Sequence, residues 1–420
     1  MAEKDQFICI DLKSFYASVE CVERGLDPFK VNLIVADPTR TEKTICLAAS
    51  PAIRKLGVPS RCRVFEIPKN IQYIMAPPRM RLYIRYSARI YGIYLKYFAP
   101  EDIHVYSVDE AFIDATHYLS LYKKTARELT LTVLKDIKDT TGLTATGGIG
   151  TNLYLAKIAL DITAKHAADF IGELTEESYK ELLWDHQPLT DFWMVGRGTV
   201  QRLARVGIFT MRDIAMADEA LLFRLFGVNA EILMDHAWGI EPVTMADIKN
   251  YRAKTRSISS GQVLARDYND KDCRLIVKEM CDLLCLELVK QHKITDHISL
   301  MLGFSFNTGR KPIGASEKLT VTTSSNRILT DAVIAIYDRI VDPDLSYRRV
   351  HISFNDLKDE TFEQTDLFTD PNVMVRDRKL QQAALDIKER YGKNAILKGM
   401  NLEDAGTTIE RNNQVGGHRG

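Results

Sequence analysis

The sequence predicts a multidomain α+β protein, and three observations predict it. Up to about Lys165, short strand-like apolar runs alternate with amphipathic helical stretches; over residues 174–240 the signals are helical alone; from about Lys254 the order becomes strand, helix, strand, strand, helix, strand. A chain of 420 residues suits about three domains. With 45% hydrophobic and 27% charged residues, the composition is that of a folded globular protein rather than a disordered or fibrous one.

The elements follow in order. Phe7-Ile8-Cys9-Ile10 is too short for a helix and rich in strand formers, so it reads as a buried strand that ends at Asp11, and residues 14–20 open a helix. Residues 32–36 and 44–49 read as strands on either side of a turn at Asp37-Pro38. Over residues 81–98, Leu82, Tyr86, Ile90, Ile93 and Tyr97 recur at helical spacing with Arg85, Arg89 and Lys96 off that stripe, which makes the stripe core and the basic face solvated. Two strands, 104–107 and 111–113, flank Asp109-Glu110; a helix over 125–140, a strand over 143–150 and a helix over 153–165 follow. Farther on, 256–264, 298–306, 318–323 and 350–354 are strand-like, and 270–291 and 328–341 helix-like, a sandwich of helices on one sheet. Residues 381–391 make one more helix, and the Gly-Gly-His-Arg-Gly end reads as loose.

Charge narrows the function classes. Lys plus Arg and Asp plus Glu both number 56, so the net charge is zero and a uniformly basic, histone-like binder is excluded. Local excess survives: six basic residues (Arg40, Lys43, Arg54, Lys55, Arg61, Arg63) stand against Glu42 alone over residues 40–63. Residues 249–327 carry 14 basic residues against eight acids. No apolar run approaches a membrane span, and the polar, mixed-sign start is unlike a signal sequence, so the expected place is the cytoplasm and no membrane partner is expected. The seven cysteines form no Cys-x-x-Cys pair and read as buried reduced thiols; His292 and His297, five apart, are poorly spaced for zinc.

Three acids stand out. Asp11 closes a buried strand, and Asp109-Glu110 interrupts a hairpin between apolar runs. Unpaired buried carboxylates are costly, and three of them together repel one another unless a divalent cation neutralises them. Two Mg²⁺ ions held between them would activate an attacking hydroxyl and stabilise a leaving pyrophosphate. On spacing alone, a polar hairpin tip and a cap for the following helix account for these acids at least as well.

Three segments resemble the motifs of the Y-family translesion DNA polymerases, in that family's order and separations. They are Asp11-Leu12-Lys13-Ser14-Phe15-Tyr16-Ala17-Ser18-Val19-Glu20, then Tyr106-Ser107-Val108-Asp109-Glu110-Ala111-Phe112-Ile113-Asp114, then Gly148-Ile149-Gly150-Thr151-Asn152-Leu153-Tyr154-Leu155-Ala156-Lys157-Ile158-Ala159. The nearest subgroup is the bacterial UmuC-like (ImpB/MucB/SamB) one of SOS mutagenesis. The resemblance implies a right-hand polymerase: a ferredoxin-like palm (1–20 and 78–167), small fingers (21–77), a helical thumb (168–245), a separate α/β-sandwich little finger (250–358) and a tail (359–420). It implies low-fidelity, template-directed DNA synthesis at damaged bases, with primer-template DNA and a dNTP as partners and two Mg²⁺ ions as cofactors. Asp11, Asp109 and Glu110 would be the catalytic carboxylates and, with the carbonyl of Leu12, the metal ligands. Phe15 and Tyr16 would lie under the nucleotide's sugar, Tyr16 as the steric gate against a ribose, while Arg54 and Lys165 would contact the triphosphate and Lys157, in the matched helix, would also bind the nucleotide. Two positions depart from the pattern: Lys13 stands where many members have a second Asp, and Pro51 where a Tyr is often found.

The remaining signals concern macromolecular partners. Gly147-Gly148-Ile149-Gly150 lacks the ending of an ATPase phosphate loop, and close packing of the next helix on the sheet suffices to explain it. Gly196-Arg197-Gly198-Thr199 resembles the turn of a helix-hairpin-helix, where backbone amides at a helix start meet a DNA phosphate without reading sequence. Gln364-Thr365-Asp366-Leu367-Phe368 resembles the peptide by which bacterial polymerases bind the sliding clamp (beta), with Gln364, Asp366, Leu367 and Phe368 as its contacts; SOS accessory proteins are further expected partners. Two competing functions share the same palm: a nucleotidyl cyclase, which needs neither the helical hairpin nor the basic module, and a DNA-binding scaffold without activity.

Overall fold

The structure, a computed structural model, describes residues 5–165, 167–253, 256–361 and 371–419. Its contacts divide the chain into two compact units, 1–251 and 252–420. Among the described residues no helix is long and apolar enough to cross a membrane, and all seven cysteines are free and buried.

In the first unit the wholly apolar start of β1 (Phe7–Leu12) makes it a central strand, and it leads into α1 (Phe15–Val22). β2 (Leu33–Val35), β3 (Ala48–Ala49), α2 (Pro51–Lys55) and β4 (Ile74–Ala76) come next, the strands forming a small sheet of order β3-β2-β4 over its own apolar core around Ile34, Ile53 and Val64. The strand expected over 44–49 shrinks to its last two residues, because Ile45 bridges Arg63 instead of joining that sheet. α3 (Met80–Tyr94) buries Leu82, Ile90 and Ile93 as its spacing predicts. β5 (Ile103–Val105), β6 (Glu110–Asp114), α4 (Thr116–Tyr122), α5 (Ala126–Thr141), β7 (Ala145–Gly150), α6 (Leu153–Ile158) and β8 (Ile171–Leu174) complete the main layer. α5 is closed at its start by the Thr125–Glu128 capping box and at its end by Gly142 in the left-handed region.

The main sheet has the order β5-β6-β1-β7-β8, with β1 antiparallel to both β6 and β7 and β8 parallel to β7. β1, α3, β5, β6, α5 and β7 thus make a ferredoxin-like βαββαβ unit, as the family resemblance implies. β8 lies where sequence reading placed no strand. The glycines of β7 do serve packing: a Cβ on Gly148 would sit 2.1 Å from the carbonyl oxygen of Ala156, and one on Gly150 2.2 Å from its amide nitrogen. The helix expected over 153–165 is α only to Ile158 and widens into a π turn over Ala159–Thr163. Six helices follow, α7 (Glu176–Leu183), α8 (Arg197–Ala204), α9 (Met211–Met216), α10 (Glu219–Phe226), α11 (Asn229–Trp238) and α12 (Met245–Asn250), most of them around a third core that includes Leu203, Ile214 and Leu222.

The second unit repeats the βαββαβ element order with β9 (Ile258–Tyr268), α13 (Asp270–Lys290), β10 (Lys293–Phe304), β11 (Ile313–Thr323), α14 (Asn326–Ile340) and β12 (Tyr347–Asn355). Its strand order is different, β11-β10-β12-β9, all antiparallel. Both helices pack on one face; the other carries Ser259, Gly261, Ser299, Met301, Gly314, Ser316, Lys318 and Arg349, mostly small or basic side chains. α15 (Pro371–Tyr391) begins ten residues before the expected helix. The chain end expected to be loose contains a two-stranded hairpin, Gln414–Val415 with His418–Arg419, since Gly416 and Gly417 both take the positive φ that such a tight turn needs.

Candidate active site

Asp11 lies at the last turn of pleat in β1, its Cα opposite Glu110 of β6 on one side and Thr146 of β7 on the other. The amide of Leu12 donates to the carbonyl of Asp109 at 3.0 Å, which ties the β5–β6 turn to the end of β1 and brings the three acids to one sheet edge. Asp109 Oδ1 accepts the Ser107 hydroxyl at 2.7 Å. Burial and the neighbouring Asp109 and Glu110 push the Asp11 carboxyl up to about 7, against partial relief from Lys157.

Glu110 is turned inward. Its Oε1 takes both the Lys157 ammonium at 2.6 Å and the Cys9 thiol at 3.3 Å. Lys157, itself buried, also pairs with Asp161 at 3.0 Å one helical turn on. Burial alone would lower its ammonium pKa, but Asp161, Cys9 and Glu110 raise it above the ordinary lysine value. The Lys157 ammonium is thus engaged by two carboxylates, Glu110 and Asp161. Among the described residues, no three His, Cys, Asp or Glu side chains are gathered tightly enough to hold a metal ion as they stand. The donor set still fits a hard divalent cation: carboxylate and carbonyl oxygens at a sheet edge, crowded enough to hold Asp11 far above its ordinary range.

Phe15 is buried, and Tyr16 above it is half-buried. The Tyr16 ring stacks on Tyr83 at 4.4 Å and 15°, and Tyr83 in turn donates its hydroxyl to Glu20 at 2.9 Å. Arg79 clasps Glu20 through two bonds of 2.9 and 2.7 Å, and Arg24 joins them. Burial would raise the Glu20 carboxyl, yet these bonds hold it below its ordinary value. Tyr16 is thus braced from beneath, and burial together with the nearby Asp109 raises its phenol pKa.

Cations gather around Lys13, two residues beyond Asp11. Arg54, at the end of α2, and Lys165 are exposed and act electrostatically on Lys13, as does Lys55. The site thus has an acidic and a basic flank at adjoining positions of one strand end. The carboxylate end opens into a shallow pocket of about 20 Å³ lined by Leu12, Tyr94, Ser107, Asp109 and Glu110. A larger cavity of about 470 Å³ lies in the helical region, beside Gly198, Thr199, Arg202, Trp193 and Phe226.

Gly196 caps α8 without a side-chain bond, so the first amides of that helix, from Arg197, Gly198 and Thr199, point outward. A Cβ added at Gly196 or Gly198 would meet nothing within 4 Å. These two glycines are not demanded by packing, and leave the backbone open to close approach. The clamp-like residues Gln364, Asp366, Leu367 and Phe368 lie outside the described residues. Sequence reading missed Cys9, Tyr83 and Asp161 as supports of the site; only Asp161 left a trace, its spacing of four from Lys157.

Residues 10–161 match the impB/mucB/samB family, and residues 255–367 match the C-terminal domain of the same family. The chain is 30% identical over 426 residues to DNA polymerase IV 2 of Bacillus subtilis (strain 168), covering all of this chain and 99% of that one. It is 29% identical over 424 residues to UvrX of the same organism, covering 99% and 98% of the two chains. Among solved structures, the Y-family DNA polymerase chimera Dbh-Dpo4(243-245)-Dbh superposes with a TM-score of 0.63 at 20% identity, over 84% of this chain and 99% of that one.

Proposed function

The chain belongs to the impB/mucB/samB family, and from that premise we propose that its acid-and-base strand end binds an incoming dNTP with two Mg²⁺ ions and joins it to a primer 3′-hydroxyl. It is a Y-family DNA-directed DNA polymerase of the translesion kind. One observation carries the finer reading. Asp11 is crowded by Asp109 and Glu110 with only partial relief from Lys157, while Lys13, two residues on, is crowded by Arg54, Lys55 and Lys165. A divalent cation bound to a polyphosphate satisfies both flanks at once.

Asp11, Asp109, Glu110 and the Leu12 carbonyl would hold the metal ions, whose contribution is to acidify the primer hydroxyl and neutralise the departing pyrophosphate. Lys157 and Cys9 hold Oε1 of Glu110 and fix that carboxylate's orientation. Arg54 and Lys165 take the triphosphate. Phe15 and Tyr16 form the floor under the sugar, and Tyr16, braced on Tyr83, fills the space of a ribose 2′-hydroxyl. The open amides of α8 take a backbone phosphate of the duplex, and the open small-and-basic face of the second unit takes the duplex itself without reading bases. Within these roles, palm is assigned to 1–20 and 78–167, fingers to 21–77, thumb to 168–245, little finger to 250–358, and 359–420 to a tail bearing a clamp peptide. The work is positioning and charge neutralisation, so no protein nucleophile is needed.

Extension of a labelled primer on damaged and undamaged templates, with Mg²⁺, tests the reading. Wild type extends both; Asp109→Ala loses about a thousandfold in rate while duplex affinity stays within about twofold. Equal rates in the two proteins would remove the carboxylates from the chemistry.

A further inference from the structure

We propose that Lys13 is a binding residue for the polyphosphate of the incoming nucleotide, presented to it by the ring of Phe170. Lys13 directly follows β1. Its amide donates to the Thr144 carbonyl at 2.9 Å and its own carbonyl accepts the Ser18 hydroxyl at 2.6 Å, so the backbone is fixed from both sides. The ammonium rests over the Phe170 ring, 4.1 Å from its centre. Phe170 is itself held: its carbonyl accepts the amide of Gly147 in β7 at 2.9 Å, and it takes the left-handed φ of 60°. A backbone conformation that a bulky side chain rarely adopts is therefore used to put an aromatic face under a lysine.

This lysine has a seat on the ring. Among the described residues no carboxylate forms an ion pair with it. Its charged neighbours are the cations Arg54, Lys165 and Lys55, together with Asp11. A half-buried ammonium in such company is stabilised by an anion of several charges, and a triphosphate is one. Since Lys13 is separated from Asp11 by Leu12 alone, the phosphates it holds lie next to the carboxylates.

The inference rests on the polymerase reading, and the test separates the two. The full-length protein is compared with Lys13→Gln, Lys13→Arg and Phe170→Leu in steady-state primer extension with dATP, and in calorimetric titration with inorganic tripolyphosphate without DNA. Loss of one charged hydrogen bond predicts a KM for dATP raised about tenfold in Lys13→Gln, with kcat within about threefold. Tripolyphosphate affinity falls by a similar factor of about ten, and Lys13→Arg stays near wild type in both. Phe170→Leu, which keeps the charge and loses its seat, raises KM about threefold; it carries the test if Lys13→Gln does not melt cooperatively. Unchanged KM and unchanged tripolyphosphate affinity in a folded Lys13→Gln overturn the proposal. Absence of extension by wild type would instead overturn the polymerase reading, and the titration would still decide on Lys13.

Discussion

The two βαββαβ modules of this chain share an order of elements and differ in the order of strands, and the difference shows in what each does with a buried acid. In the first, β1 is central, between β6 and β7, so its end carries Asp11 into the middle of a sheet edge where Glu110 faces it. In the second, β9 is an edge strand, and the acid buried deepest is Glu279 on α13. Glu279 is fully supplied: Oε1 accepts the Asn401 side chain at 2.8 Å, and Oε2 accepts the Thr407 amide at 2.8 Å. Those partners come from the tail beyond α15. Asp11 faces more acids. One carboxylate closes a structure, and the other sits among acids whose charge Lys157 offsets only in part.

Asp11→Asn probes the comparison hardest. In the metal-free protein burial and the neighbouring acids push the folded carboxyl up to about 7 from an ordinary 3.8, so the folded state binds the extra proton between those values. The stability this lends is complete below the unfolded pKa and is lost as pH rises through about 7. Asparagine carries no charge at either end, so in EDTA the variant should be more stable than wild type at pH 8, by on the order of 2–4 kcal/mol, and equal to it near pH 4. The same variant should lose about a thousandfold in primer extension. Thermal melts at the two pH values measure the first effect. A variant less stable than wild type at pH 8 would make Asp11 a structural acid like Glu279.

Glu279→Ala should behave in the opposite way. It strands two backbone amides and the Asn401 side chain inside the second unit, at about 1–3 kcal/mol for each buried group left unpaired, so a loss of at least about 3 kcal/mol is expected in urea unfolding. The folded fraction should retain nucleotide KM. A loss under about 1 kcal/mol would mean that the tail is not anchored through this acid.

What the sequence made legible follows from the same physics. β1, α3, α5 and the four strands of the second unit were readable because each has one apolar face of regular period. The three acids stand out as carboxylates at the ends of apolar runs, but spacing alone fits a hairpin tip and a helix cap at least as well. The two strand orders were not, since identical local patterns produce both. The tail's hold on Glu279 was also hidden: Asn401 and Thr407 are ordinary polar residues whose use depends on an acid over a hundred positions away. β8 escaped because four residues, one of them Gly172, leave too little alternation to register. The resemblance makes Lys157 a nucleotide-binding residue, and nothing in the sequence around it shows its pairing with Glu110, 47 positions away.

Lys157 gives the finest cut between a group that holds substrate and one that holds a carboxylate. Its charge lowers the Asp11 carboxyl and fixes Oε1 of Glu110. Lys157→Gln should therefore lower kcat about tenfold and leave the KM for dNTP within about twofold, because the disturbed group meets the reacting atoms and the undisturbed ones meet the phosphates. Without the lysine the Asp11 carboxyl rises further, so the acidic limb of the extension rate against pH should move to higher pH. The Glu279 region predicts no such displacement, having no part in the chemistry. A tenfold rise in KM with kcat and the pH limb unchanged would return Lys157 to the triphosphate, and would leave Glu110 positioned by Cys9 and the strand alone.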